Sequence, residues 1–213
     1  MADLDSQIPY WDAAAATKTF THPLHLPWLG GINRHAAILD YGCGYGRTLQ
    51  DLEHQGFDNL TGVDTSPGMI ERARLLHPAM RFTVLDEPPL SPYPDAAFDM
   101  AVLFAVLTCI PTEEAQHRLI TELHRVLKPG GTLYVSDFLL QNDERNRIRY
   151  DRCATHYDNY GVFETDDGAV FRHHPRSWFP TLLSDFEARG SRHITVNTMS
   201  GHESTGIQLL VRK

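Results

Sequence analysis

The chain has 213 residues, 19 Lys and Arg against 27 Asp and Glu for a net charge of −8, 42% hydrophobic residues, 12 His and 3 Cys. That length fits one well-filled domain, or one domain carrying an insertion. The acidic balance removes the attraction that dominates non-specific nucleic-acid binding, and the nearest thing to a basic patch, Arg145, Arg147, Arg149 and Arg152, is diluted by Asp143, Glu144 and Asp151, so no nucleic-acid partner is expected.

The longest apolar run, residues 100–111, is far short of the roughly 20 residues a membrane span needs. The acidic start MADLDSQ lacks the positive region of a signal peptide. The expectation is a cytoplasmic protein that engages no membrane. Cys43, Cys109 and Cys153 are an odd number at wide spacing, which suits reduced thiols better than a disulfide framework or a metal or redox motif.

In chain order, residues 1–35 form an N-terminal segment with Tyr10, Trp11, Phe20 and His22, read either as a lid over a ligand or as an apolar strap on the domain. From 36 to 140, short β-rich runs alternate with amphipathic stretches, the pattern of βαβ units around a parallel sheet. Strands are predicted over 37–41, 59–64, 81–85, 98–104 and 131–137. Ser66 with Pro67 begins one helix, and Thr112 with Glu113 and Glu114 begins another that ends at Lys128-Pro-Gly-Gly131. Residues 141–175 are polar, rich in Tyr, Arg and His, and show no clean period, which marks an insertion. A helix is predicted over 177–189, then strands over 193–199 and 206–211 joined by a turn at 201–206, so that 176–213 close a single 1–213 domain.

The decisive stretch is Asp40-Tyr-Gly42-Cys-Gly44-Tyr-Gly46-Arg47, an apolar strand running into three glycines and a helix. Glycines permit positive φ and close ligand approach, and the helix start offers free N–H groups, so a nucleotide-like ligand is indicated. Arg47 stands where the dinucleotide fingerprint needs its third glycine, which argues against a nicotinamide enzyme. Asp64 ends the second strand 22 residues after Gly42, where a carboxylate meets ribose hydroxyls, and Asp86 ends the third, where it could meet the edge of a base or stand in solvent. Carboxylates at successive strand ends suit a cationic cofactor better than a pyrophosphate.

Asp40-x-Gly-x-Gly-x-Gly46, Gly62-Val-Asp-Thr-Ser-Pro-Gly-Met69, Pro94-Asp-Ala-Ala-Phe-Asp99 and Leu127-Lys-Pro-Gly-Gly131 together resemble the ordered motifs of small-molecule class I S-adenosylmethionine-dependent methyltransferases. The resemblance implies an α/β fold with a Rossmann-like, doubly wound seven-stranded sheet, mostly parallel with one antiparallel strand near the C-terminus. It implies S-adenosylmethionine as cofactor and S-adenosylhomocysteine as product. Carried over residue by residue, Gly42 and Gly44 lie at the methionine portion, Asp64 at the ribose, Met69 and Asp86 at the adenine, and Phe104 beside the cofactor, with Asp40 and Thr65 also in the cofactor site; Met69 and Phe104 also read as core.

A sulfonium is already an activated donor, so no dedicated base is required. Candidate catalytic residues are His156, Tyr157, His173 and His174, and candidate substrate contacts are Tyr10, Trp11, His22, Tyr150, Tyr160, Arg176 and Trp178; any of the histidines also reads as structural. No pair of histidines has a recognised zinc spacing, so no metal is expected. The expected function is methyl transfer to a small molecule. The alternatives are a tRNA or protein acceptor, or a non-catalytic cofactor-binding regulatory module. The oligomeric state is left open.

Overall fold

The computed structural model describes residues 6–213. Residues 1–5, the first part of the predicted N-terminal lid, lie outside the described residues. The predicted αβ alternation forms strands β1 (Ile38–Tyr41), β2 (Leu60–Asp64), β3 (Arg81–Val84), β4 (Phe98–Phe104) and β5 (Leu127–Phe138), with helices α2 (Arg47–His54), α3 (Pro67–Leu76) and α4 (Glu113–Val126) between them. The chain closes with β8 (Glu187–Asn197) and β9 (Glu203–Arg212). These seven strands form one sheet in the order β3-β2-β1-β4-β5-β9-β8, and β9 runs antiparallel to both of its neighbours. The predicted fold class is the one observed.

Alternation of side chains drives this sheet into the middle of the molecule. Ile38, Met100, Val102 and Tyr134 point to the face covered by Leu49 and Leu52 of α2 and Ile70 and Ala73 of α3. Their sequence neighbours Leu39, Ala101, Leu103, Leu133 and Val135 point to the face covered by Leu119, Leu123 and Val126 of α4. Both faces are buried, so the strands read as continuous apolar runs. Ser66 and Thr112 cap α3 and α4 as expected, accepting from Met69 N and Ala115 N.

The sequence reading needs four corrections. Residues 141–175 are not irregular: Asp143 caps a helix α5 (Glu144–Tyr157), and β6 (Val162–Glu164) pairs antiparallel with β7 (Val170–Arg172). Only Asn146, Tyr150 and Cys153 of α5 are buried, so its buried stripe is too narrow to show as a period. The helix predicted over 177–189 is a single short α6 (Trp178–Leu182), because the chain from Glu187 onward pairs with β9 instead. The closing turn lies over 198–202, shut by Thr198 N–H donating to His202 O at 2.7 Å. Finally, β5 starts at Leu127, with an irregular register before Met100 pairs Thr132.

The N-terminal segment contains α1 (Ile8–Ala14) and then an extended strap. Arg72 donates to Ala15 O at 2.7 Å and Lys18 O at 3.0 Å, Arg47 to His22 O at 2.6 Å, and His25 N–H to the Tyr134 hydroxyl at 2.8 Å. Gln7 holds the strap to the lid: its amide donates to Val170 O at 2.8 Å and accepts from Val170 N at 2.8 Å.

Replacing the α5 cap, Asp143→Ala, removes the acceptor for Asn146 N–H and is expected to cost about 1 kcal/mol. Thermal denaturation should show Tm lowered by about 2–4 °C. An unchanged Tm would mean that the lid helix does not depend on this cap.

Candidate functional site

A cavity of about 240 Å³ opens over the carboxyl ends of β1, β2, β4 and β5, where open α/β sheets bind ligands. Its floor is the glycine loop between β1 and α2. Gly42 and Gly44 take φ of +73° and +53°, and a Cβ on Gly42 would collide with Val106 Cγ2, while one on Gly44 would reach 2.5 Å from Phe20 Cε2. Only glycine fits there. Asp64 pins this loop: its Oδ2 accepts from Gly44 N at 2.8 Å and its Oδ1 from Ser66 N at 2.9 Å. Burial raises the Asp64 carboxyl above its usual range, and those N–H groups oppose the shift.

Asp40, at 2% exposure, lines the same end. Its Oδ2 is buried without a hydrogen-bond partner. Burial pushes its carboxyl up to about 7, with the Arg47 guanidinium opposing the shift and Asp64 adding to it. Arg47 spends its terminal nitrogens on Asp51 at 2.8 Å and His22 O at 2.6 Å, but its Nε is also buried without a partner.

His22 is 3% exposed, and its hydrogens can be placed from a chain of contacts. Arg192 donates to Gln208 Oε1 at 3.2 Å, so Gln208 Nε2 faces Pro23 O at 2.6 Å and Ser136 Oγ at 3.2 Å. The Ser136 hydroxyl then keeps its hydrogen for His22 Nδ1, 2.8 Å away. His22 is therefore a neutral ring with its hydrogen on Nε2, an atom buried on the cavity wall with no partner. Burial, followed by the Arg47 charge, drives its pKa down to about 3, consistent with that state.

Two unpartnered donors and one unpartnered carboxylate at one end of a cavity match the carboxylate and ammonium of an amino-acid group. The residues therefore fit S-adenosylmethionine at its methionine end.

Phe20 of the strap covers the glycine loop, stacking on Tyr45 at 5.3 Å between ring centroids. The opposite end is roofed by the lid, where Phe163, Phe171 and His173 face the cavity with Arg145 and Arg149 of α5. His173 lies 5.3 Å from the Phe138 ring in a stacked arrangement, and its Nδ1 is 2.6 Å from the Tyr150 hydroxyl. That hydroxyl also accepts from Gln141 N and lies 3.5 Å from Asn146 Oδ1, so it holds the His173 ring from behind. Ala105, just past β4, lines the wall at φ +55°, a strained conformation for alanine.

The cavity gathers Asp40, Gly42, Gly44, Asp64, Thr65, Met69, Phe104, Trp11, His22 and His173 from the residues singled out in the sequence. Others lie elsewhere. Asp86 is exposed, and Pro88 and Pro89 line the wall after β3 in its place. His174 points the opposite way from His173, into the core, where its Nε2 accepts from Gln116 at 2.9 Å; Trp178 donates to the same Gln116 at 2.7 Å. His156, Tyr160 and Arg176 are exposed away from the cavity. Tyr157 bonds Glu164 at 2.6 Å, Tyr10 bonds Asp167 at 3.3 Å, and Tyr150 sits behind His173 rather than on the wall. Phe20, read in the sequence as part of a lid or strap, lines the cavity, whereas sequence reasoning missed Arg145 and Arg149 as lining residues. The i,i+4 spacing of the two arginines was a signal, hidden among four arginines on a polar segment.

Residues 39–135 match a protein family described as a methyltransferase domain. A solved structure of S-adenosylmethionine-dependent methyltransferases from Methanosarcina mazei is similar, with a TM-score of 0.83, 26% identity, and coverage of 89% of this chain and 98% of that one. Methyltransferase-like protein 27 of Homo sapiens is 38% identical over 105 residues, 48% of this chain and 41% of its own. The 2-methyl-6-phytyl-1,4-hydroquinone methyltransferase of Synechocystis sp. is 34% identical over 116 residues, 53% of this chain and 35% of its own. The chain thus spans about half the length or less of these curated relatives. Motifs, fold and matches agree: residues 39–135 form a methyltransferase domain, in a fold shared with S-adenosylmethionine-dependent methyltransferases.

Proposed function

We propose that this chain transfers the methyl group of S-adenosylmethionine to a small-molecule acceptor held between the glycine loop and the lid. The observation that carries this reading is the roofed cavity: it runs on from the cofactor end at Asp40 and Asp64 to a second, aromatic end closed by the strap and by α5, β6 and β7. A covered chamber of this kind suits a metabolite better than a protein segment or a folded RNA. The Synechocystis relative is named for a hydroquinone, which agrees.

Asp40 takes the ammonium of the cofactor, and Arg47 Nε and His22 Nε2 its carboxylate. Asp64, with lone pairs beyond those facing Gly44 and Ser66, accepts from the ribose, beside Thr65, and Met69 packs on the adenine. When bound, the cofactor supplies a methyl already activated on sulfur, so the protein mainly aligns the acceptor and keeps water out. Trp11, Phe20, Phe104 and Phe163 provide that dry enclosure. Burial drives the pKa of both cavity histidines down and makes them weak bases, so the acceptor arrives with its nucleophilic atom ready or loses its proton to solvent.

Incubation with methyl-labelled cofactor and fractionated cell extract should place label in a small molecule. Label in RNA or protein alone would overturn the acceptor class, and bound cofactor with no transfer would favour a regulatory module.

The raised Asp40 pKa gives a pH signature. A protonated Asp40 cannot pair with an ammonium, so binding expels a proton below about pH 7. Affinity for S-adenosylhomocysteine, measured by calorimetry, should rise from pH 6 to pH 8 and level off above the Asp40 pKa. Asp40→Asn should weaken binding by about tenfold and flatten this dependence. A dependence that persists unchanged in Asp40→Asn would assign it to another group.

A further inference from the structure

We propose that the acceptor carries a carboxylate or similar acid group, and that Arg145 and Arg149 of α5 receive it. This deepens the methyl-transfer reading and rests on it. The charges on the cavity wall are unevenly placed. Its carboxylates, Asp40 and Asp64, lie at the ends of β1 and β2 with Arg47 beside them, whereas Arg145 and Arg149 lie on the lid, with Arg118 at the α4 side, and no carboxylate lines the wall there. The first end suits the zwitterion of an amino-acid group, and the lid end calls for an anion.

Arg149 is the stronger marker. Its guanidinium carbon lies over the Phe163 ring, 3.4 Å from the centroid, which holds it on the wall. Its Nε is buried without a hydrogen-bond partner. The Tyr150 hydroxyl and, through charge alone, Asp143 act on the guanidinium, but neither meets that Nε, and an incoming acid would.

The acidic groups around it are committed elsewhere. Asp143 caps α5 through Asn146 N, Glu164 takes the Tyr157 hydroxyl, and Asp167 pairs with Lys18 at 2.9 Å. Asp137 faces the backbone N–H groups of Thr108 and Phe138. Arg118, by contrast, already pairs with Glu114 at 3.2 Å. His173 between these groups is neutral, and the Arg149 charge helps keep it so. The wall from His22 through Phe138 and His173 to Phe163 is aromatic, with ring centroids 4.8, 5.3 and 4.9 Å apart in turn. A flat acid is the shape that fits both the wall and the arginines.

The test is calorimetric titration of protein saturated with S-adenosylhomocysteine, using 2-naphthoate and the neutral 2-naphthamide as matched probes. The acid should bind about tenfold more tightly than the amide. Arg149→Met, which keeps a long side chain over Phe163, should bring the acid down to the amide's level while affinity for S-adenosylhomocysteine stays unchanged. Arg145→Met, at an exposed position, provides a second variant whose folding is not at stake and should narrow the same ratio. Equal binding of the two probes, no binding of either, or a ratio unaffected by both variants would overturn the proposal. Failure of the unmodified protein to bind S-adenosylhomocysteine would instead strike the methyl-transfer reading beneath it.

Discussion

The bond between Gly44 N–H and Asp64, 2.8 Å long, is the contact on which the site depends. It requires a backbone at positive φ, which requires glycine, and it ties the β1 loop to the end of β2. With the loop held, Tyr45 presents its ring to Phe20 and its hydroxyl to Phe20 N–H at 3.2 Å, and Arg72 covers the same ring at 4.0 Å. The strap is thereby laid across the cavity mouth, and Gln7 and Lys18 carry it on to the lid. Loop, strap and lid form one chain of contacts, each placed by the one before.

Electrostatics then divides the chamber. A protein of net charge −8 places two carboxylates, Arg47 and the neutral His22 at one end of its cavity, and Arg145 and Arg149 with the neutral His173 at the other. Buried polar atoms without partners are expensive, so Asp40 Oδ2, Arg47 Nε and Arg149 Nε are best understood as contacts completed by ligand. The hydrogen-bond relay from Arg192 through Gln208 and Ser136 to His22 shows the same economy, because it fixes the tautomer of a buried ring before any ligand arrives.

The parallel core was legible because strand ends, glycines and caps are dictated by local backbone demands: Gly42 and Gly44 admit no other residue, and Ser66 and Thr112 cap where side-chain oxygens cap. The lid was not, since α5 buries only a narrow stripe and gains its place from Asp143 and from packing of Tyr150 against His173. His173 and His174 show the limit clearly. They read alike in sequence, yet neighbouring residues of an extended segment point to opposite sides, so one meets the cavity and the other the core. The predicted helix over 177–189 failed because pairing of Glu187 onward with β9, a contact distant in sequence, outweighed the helical spacing of Trp178, Leu182 and Phe186.

A crystal structure of the complex with S-adenosylhomocysteine is the most direct test of this account. It should show the amino-acid end over the glycine loop, with its ammonium on Asp40, its carboxylate on Arg47 Nε and His22 Nε2, and the ribose at Asp64. A complex in which that carboxylate sits instead on Arg145 and Arg149, with Asp40 and His22 untouched, would contradict it.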